Sequence, residues 1–231
     1  MRRLTSIAAA IGAVFAVGSA QALVIQIDDF NTPFSSVFDT VGGDLVAASA
    51  ANAVGAGNLA SSRTISNLVT TAAVSNLLGG LSAIGTGPSP NFFPAALNVS
   101  NASGINSINQ VDWTLPASVI PAGPASFSFS VVFADNGAAG NTTLSFTIGA
   151  TPLTTILIPN TLVATDYSFA LSAVQTALLA AGGLLNMTVT GSNSYDISFD
   201  TISLVIPEPT SLALVGLALL GAGVVSRRRK A

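Results

Sequence analysis

Short runs in which apolar and small polar residues alternate restrict the fold of this 231-residue chain more than any other feature. The alternation is clearest over residues 127–133, 144–148 and 185–189, where aromatic, branched or long apolar side chains take every second position. A period of two is typical of strands with one buried face. Turn-forming residues separate the runs. The pattern predicts an all-β fold, an antiparallel β-sandwich, rather than alternating strands and helices.

The single Trp lies in one of these runs. Val111, Trp113 and Leu115 share one face of a predicted strand, which favours a core position for Trp113 over a ligand platform. Residues 45–87 are harder to assign because they are rich in Ala, Ser, Asn and Gly. Within them, 69–81 fits either an amphipathic helix or two short strands, and the sequence leaves both open.

The last predicted strand, residues 195–206, changes the parity of its apolar positions. Ile197 and Phe199 share one parity, whereas the apolar positions resume with the other parity at Ile202. Such a change predicts either a β-bulge near Asp200 or a central strand that is buried on both faces.

Charged residues are scarce, at 7% of the chain, and Cys and His are absent. Their absence excludes thiol nucleophiles, Ser-His-Asp triads, disulfides and imidazole or thiolate zinc sites. Between residues 23 and 206, nine Asp and one Arg give a formal charge of −8, so we expect no nucleic acid partner. The one Arg is Arg63, which either pairs with a carboxylate or serves a binding site; pairing is favoured, with Asp39 and Asp44 as candidate partners.

Residues 1–22 have the three parts of a secretory signal peptide. A basic pair precedes an apolar stretch from Ile7 to Val17, and Ala20 and Ala22 form a small-x-small cleavage pattern. The apolar stretch is short for a membrane span. We therefore expect export across the inner membrane and a domain over residues 23–206.

Residues 207–231 form a second tripartite segment. Pro207, Glu208 and Pro209 come first, an almost entirely apolar stretch of membrane-spanning length follows, and a basic cluster ends it. The cluster contains Arg227, Arg228, Arg229 and Lys230. Basic residues stay on the cytoplasmic side of a membrane, which places the domain on the far side.

This tripartite order resembles the PEP-CTERM sorting signal of Gram-negative bacteria. The resemblance implies that an exosortase, an integral-membrane cysteine protease, recognises the tail and cleaves near Pro207–Pro209. It further implies a transient anchor through a transmembrane helix, followed by a place at the cell surface or in the extracellular matrix. Proteins of this kind are typically tied to exopolysaccharide and to biofilm or floc matrix.

The domain itself loosely resembles jelly-roll domains of the carbohydrate-binding-module type. The first predicted strand ends in Asp28 and Asp29, and the last carries Asp200. In such domains the terminal strands often pair and hold a structural calcium, which makes these three acids the candidate calcium ligands. The alternative is that the acids end strands, protect sheet edges and keep the domain soluble.

Three function classes remain open. The leading one is a non-enzymatic exported protein that associates with polysaccharide or a matrix protein. The second is a calcium-stabilised, self-associating adhesion module. The third is a secreted hydrolase with a pair of acids such as Asp196 and Asp200, which is disfavoured because Glu, a frequent acid catalyst, is absent from residues 23–206.

Replacement of Glu208 tests the sorting segment. Because the sorting resemblance centres on Pro207–Pro209, Glu208→Ala should leave an unprocessed full-length form in the membrane fraction of the producing cells. Immunoblots of membrane and secreted fractions measure it, with Thr210→Ala as the matched control. Normal processing of the Glu208 variant would contradict the prediction.

Overall fold

The computed structural model describes residues 22–32, 34–39, 42–43, 46–70, 81–84, 93, 95–117, 120, 123–136 and 140–207. Thirteen strands and one helix lie in this part of the chain. They are β1 (Leu23–Asp28), β2 (Phe34–Phe38), β3 (Ala48–Ala53), β4 (Ser62–Val69), β5 (Leu81–Ile84), β6 (Leu97–Ser100), β7 (Ser107–Leu115), β8 (Ala125–Asp135), β9 (Thr142–Ile148), β10 (Thr151–Ile158), β11 (Thr165–Leu171), α1 (Ala173–Ala181), β12 (Gly183–Thr190) and β13 (Asp196–Ile206). A compact unit spans Val24–Val205.

The strands form two sheets. Sheet A has the order β11-β8-β13-β6-β5-β2, and β1 also pairs with β13; sheet B has the order β10-β9-β12-β7-β4-β3. The strand pairs along both orders are antiparallel. From β7 onward the chain crosses repeatedly between the sheets, as in a jelly roll. The predicted antiparallel β-sandwich is therefore confirmed.

The core lies between the sheets and is built from the alternating positions. Phe127 and Phe129 of sheet A contact Phe146 of sheet B, with ring centroids 5.0 and 5.3 Å apart. All three are buried, as are Met187 and Trp113. The predicted core position of Trp113 is thus confirmed.

Strand β13 carries the predicted irregularity. Its register against β8 shifts between Phe199 and Ile202, so a bulge includes Asp200. The strand is also central, because β8 pairs along one side while β6 and β1 pair with it as well. The predicted pairing of the first and last strands is present too.

The regular elements that the structure describes within residues 45–87 are all strands. They supply β3, β4 and β5. Residues 71–80, in the segment for which a helix was an alternative, lie outside the described residues.

A buried ion pair joins the two sheets near the end of β1. Arg63 Nη1, on β4, donates to both carboxylate oxygens of Asp28 at 2.7 Å, and neither side chain is exposed to solvent. Asp28 belongs to sheet A through β1, whereas Arg63 belongs to sheet B. The pair therefore fixes the first strand against the opposite sheet.

The remaining hydrogen-bonding capacity of Asp28 is also used. Trp113 Nε1 donates to Oδ2 and the backbone N–H of Phe30 to Oδ1, each at 2.9 Å. Arg63 Nη2 donates to the carbonyl oxygen of Thr32 at 2.5 Å, and its guanidinium lies 5.9 Å from the centre of the Phe30 ring. A buried charge pair needs such additional bonds to offset its desolvation.

The expectation that Arg63 pairs with Asp39 or Asp44 is wrong for Asp39. The buried Asp39 Oδ2 instead accepts the backbone N–H of Val69 at 2.7 Å. Asp44 lies outside the described residues. The carboxylate that Arg63 meets is that of Asp28, because β1 lies across the sandwich from β4.

A second buried polar group lies before β13. The hydroxyl of Tyr195 accepts from Asn109 Nδ2 at 2.6 Å and lies 3.1 Å from the carbonyl oxygen of Ser107 and 3.2 Å from that of Val189. Burial raises the pKa of Tyr195 to about 12. The phenol therefore ties the turn before β13 to β7 and β12.

Removing Arg63 should destabilise the fold strongly. Arg63→Met leaves the Asp28 carboxylate buried without a counter-charge. The free energy of unfolding should fall by about 3–5 kcal/mol as a result. The double variant Arg63→Met/Asp28→Asn should recover part of this loss, because no lone charge remains. Urea unfolding of residues 23–206 measures both, and Asp166→Asn on the exposed surface is the control. A loss below about 1 kcal/mol would contradict the assigned role.

Tyr195→Phe, which removes the hydroxyl, should lower the free energy of unfolding by about 1–3 kcal/mol, because the buried Asn109 amide loses an acceptor. Since the pKa of Tyr195 is raised to about 12, the unfolded chain releases the phenol proton first as the pH rises. The free energy of unfolding should fall between about pH 10 and pH 12, and fall less in Tyr195→Phe. Urea unfolding at several pH values measures this in Tyr195→Phe and in the unsubstituted domain; parallel pH curves would refute it.

Candidate functional site

The outward side of sheet B carries hydroxyl and amide side chains in rows across neighbouring strands. Strand register places opposed residues side by side on the same face. One row consists of Ser66, Gln110, Thr188, Ser145 and Thr155, and the next of Thr64, Asp112, Asn186 and Thr147. We call these nine residues the sheet B face. The eight on β4, β7, β9 and β12 alternate with the buried core positions of the same strands.

Hydrogen bonds organise the centre of the sheet B face. Asn186 Nδ2 donates to Asp112 Oδ1 at 2.7 Å, and Gln110 Nε2 donates to Asp112 Oδ2 at 2.8 Å. Thr188 Oγ1 donates to the amide oxygen of Asn186 at 2.9 Å. The one carboxylate of the face is thus held between two amides, and the amides are held in fixed orientations.

Apart from the carboxylate of Asp112, the sheet B face offers neutral hydrogen-bonding groups. Hydroxyls donate and accept, and each amide carries two N–H donors and a carbonyl acceptor. None of the nine residues is aromatic or basic. The face is suited to a hydroxyl-rich ligand that needs neither a stacking platform nor a counter-charge.

Two acids on sheet A and beside it, Asp166 and Asp29, act on a third, Asp200. The exposed Asp166 of β11 accepts a hydrogen bond from the Ser130 hydroxyl of β8. Burial raises the pKa of Asp200, and the negative charges of Asp166 and Asp29 raise it further. Burial alone would raise the pKa of Asp29, but hydrogen bonds from Asn31 and Asn58 outweigh it and lower that pKa.

The structure separates the roles of the three candidate calcium ligands. Asp28 uses both carboxylate oxygens on Arg63, Trp113 and a backbone N–H, so it has no oxygen left for a cation. Asp29 and Asp200 are near enough for their charges to interact. Over the ranges that the structure describes, no three His, Cys, Asp or Glu side chains are grouped to hold a metal ion.

Asp196, the other acid of the hydrolase alternative, lies at the start of β13. Its Oδ1 accepts the backbone N–H of Asn101 at 3.1 Å, which holds the loop after β6 against β13. This contact gives Asp196 a structural role.

The predicted sorting and cleavage residues lie mostly outside the described ranges. Ala22 and Pro207 are described, whereas Ala20, Glu208, Pro209 and Arg227–Arg229 are not. No helix within the described ranges has both the length and the hydropathy to cross a membrane.

The sheet B face was not predicted as a site. Gln110 and Asp112 flank Val111, and Asn186 and Thr188 flank Met187, so the alternation already marked them as outward. The pairing of β7 with β12, which brings the two pairs together, joins segments more than 70 residues apart and leaves no local signal.

A family model described as the PEP-CTERM protein-sorting motif matches residues 205–230. The match begins within β13 and covers the Pro-Glu-Pro segment, the apolar stretch and the basic cluster. No curated protein matches the chain in sequence.

Several solved structures are loosely similar to the chain. A family 11 carbohydrate-binding module from Clostridium thermocellum, solved with a mixed-linked tetrasaccharide, is 12% identical with a TM-score of 0.37, over 82% of this chain and 98% of that one. A xylan-binding module is 9% identical with a TM-score of 0.36, over 80% and 97%. The enzymatically active domain of tailspike protein 4 from bacteriophage CBA120 is 13% identical with a TM-score of 0.39, over 62% and 19%.

These structural likenesses are too loose to assign a ligand or an activity. The sorting motif, in contrast, matches the tripartite segment that the sequence predicts, and the motif implies an exported, exosortase-sorted protein. The chain therefore carries a PEP-CTERM protein-sorting motif over residues 205–230, which follows an antiparallel β-sandwich in the sequence.

Proposed function

We propose that this chain is a non-catalytic protein of the cell surface or extracellular matrix that associates with polysaccharide through the sheet B face. The observation that carries the proposal is the pair of rows of hydroxyl and amide side chains, with the one carboxylate of Asp112 among them, on the outward side of sheet B. The sorting motif supports it, because such motifs are typically tied to exopolysaccharide.

The spacing of the sheet B face suits an extended polymer. Neighbouring strands lie about 4.8 Å apart, so each row offers a hydrogen-bonding side chain at every strand crossed. A single sugar would gain little, because each neutral hydrogen bond contributes only about 0.5–1.5 kcal/mol. A polymer that contacts many copies would be held by avidity.

At the sheet B face, the arrangement of the acids supports a binding role over hydrolysis. Hydrolysis of a glycoside needs two carboxyl groups across the scissile bond, one of them with a raised pKa. The pKa that burial and neighbouring charges raise belongs to Asp200, on sheet A. Asp112 is the one acid of the sheet B face, and two amides hold it.

Calcium remains a proposal for the acids of sheet A. A divalent cation between Asp29 and Asp200 would relieve the repulsion that raises the Asp200 pKa. Carboxylates and carbonyl oxygens are the ligands that calcium prefers. Asp28 is not among them, because Arg63 holds its carboxylate.

Co-sedimentation with the producing organism's extracted polysaccharide tests this function. Residues 23–206 should bind saturably, and Gln110→Ala/Asn186→Ala should weaken binding about tenfold, since two bonds of about 0.7 kcal/mol are lost. Ser128→Ala/Ser168→Ala, on the outward side of sheet A, is the matched control. Absence of binding, or equal loss in both double variants, would overturn the proposal. Parallel runs with calcium and with chelator test whether the cation takes part.

A further inference from the structure

We infer that the polysaccharide bound by the sheet B face carries acetyl esters on some of its hydroxyl groups. This inference names the substrate class of the proposed site, and it rests on the proposed function. It comes from a third row of outward side chains, which lies beside the two rows of the sheet B face and is largely apolar.

The third row crosses the same five strands as the row that contains Gln110. Strand register places its members side by side, and they are Leu68, Ile108, Thr190, Thr143 and Leu157. We call these five residues the border row. Each lies two positions along its strand from a member of the Gln110 row, so it projects from the same face of sheet B, about 6.7 Å farther along the strand. The border row therefore extends the sheet B face on one side.

The border row is as accessible as the polar row beside it. Leu157, on the edge strand β10, is 59% exposed, and the four members on the inner strands are half-buried. The Gln110 row has the same pattern, because Thr155 on β10 is exposed and its other members are half-buried. Positions of opposite parity on the same strands, such as Val69 and Val189, are buried in the core. The border row thus belongs to the outward surface of sheet B.

Apolar side chains are concentrated on this side of the polar rows. Three of the five members of the border row are Leu or Ile, and each of the two Thr members carries a methyl group beside its hydroxyl. On the opposite side of the polar rows, register aligns Ser62, Thr114 and Leu184, of which Leu184 alone is apolar. A ligand that covers the sheet B face and the border row therefore meets hydroxyls and amides along one side and methyl groups along the other.

A partly acetylated neutral polysaccharide matches both sides. Its free hydroxyls can pair with the polar rows. The methyl group of an acetyl ester gains free energy from contact with Leu and Ile, and the ester carbonyl accepts a hydrogen bond from a hydroxyl. Thr190 and Thr143 offer such hydroxyls between Ile108 and Leu157. No member of the border row is aromatic or charged, so the row favours small neutral substituents over flat sugar rings or charged groups.

Two forms of one polymer test the inference. The producing organism's extracted polysaccharide is treated with mild alkali, which removes acetyl esters, and a portion is then lightly acetylated again with acetic anhydride. The two forms share a backbone and differ in their acetyl esters. The full chain in lipid nanodiscs should bind the acetylated form at least about fourfold more tightly, which corresponds to about 0.8 kcal/mol, the value for one buried methylene group. Equilibrium binding to the immobilised polymers measures both Kd values, with empty nanodiscs as the blank.

Substitutions in the border row locate the effect. Ile108→Gln/Leu157→Gln removes the apolar contacts and keeps outward hydrogen-bonding side chains, so this variant should bind the two forms with equal affinity. Val174→Gln is the matched control, because Val174 is an exposed apolar residue of α1 and lies outside these rows; it should keep the fourfold preference. Leu68→Gln/Leu157→Gln serves if the first variant fails to fold, which melting temperatures report.

The outcomes separate this inference from the proposed function. Equal affinity of the natural chain for the two forms, or a preference that the border-row variants keep, would overturn the acetyl inference. If Gln110→Ala/Asn186→Ala still weakened that equal binding, the proposed function would stand without it. Binding to neither form would overturn both.

Discussion

The buried pair of Arg63 and Asp28 is the interaction on which the arrangement of this sandwich depends. Both side chains are fully removed from water, and a charge in that position is tolerated only when its partner and further hydrogen bonds are present. Trp113, the backbone of Phe30 and the carbonyl of Thr32 supply those bonds. The first strand is thereby fixed to both sheets, to sheet A by pairing with β13 and to sheet B by charge.

This arrangement also sorts the acids of the domain by role. Asp28 balances the one cation of residues 23–206, and Asp39 and Asp196 hold backbone N–H groups. Asp112 is held between two amides on an outward face. Asp29 and Asp166 remain as the acids whose charges act on Asp200. An acidic composition is therefore compatible with a largely neutral binding face.

Much of the fold could be predicted from the sequence because strand alternation is a local property. The positions of Phe127, Phe146 and Met187 in the core follow from parity along single strands, and the parity change near Asp200 left a bulge as one of two interpretations. The partner of Arg63 could not be predicted, because Asp28 meets it across the sandwich through packing of separate sheets. Residues 45–87 were ambiguous because small residues fit strand and helix alike.

The candidate site was harder to predict from the sequence, because it too depends on pairing between distant segments. That Gln110 and Asn186 point outward follows from alternation, but that both donate to Asp112 depends on the register of β7 with β12. The sorting motif, in contrast, could be predicted from the sequence, because its three parts are consecutive in the chain and their order alone defines it.

The position of β13 in sheet A has a consequence for the order of folding. This strand is the last of the sandwich to be synthesised, yet it lies between β8 on one side and β6 and β1 on the other. Until it arrives, β8 has no partner on the side that β13 fills, and the first strand lacks its neighbour in the sheet. Contacts between segments so far apart in sequence also form slowly. A chain still in transit across the membrane therefore cannot complete sheet A until translocation has delivered Ile206.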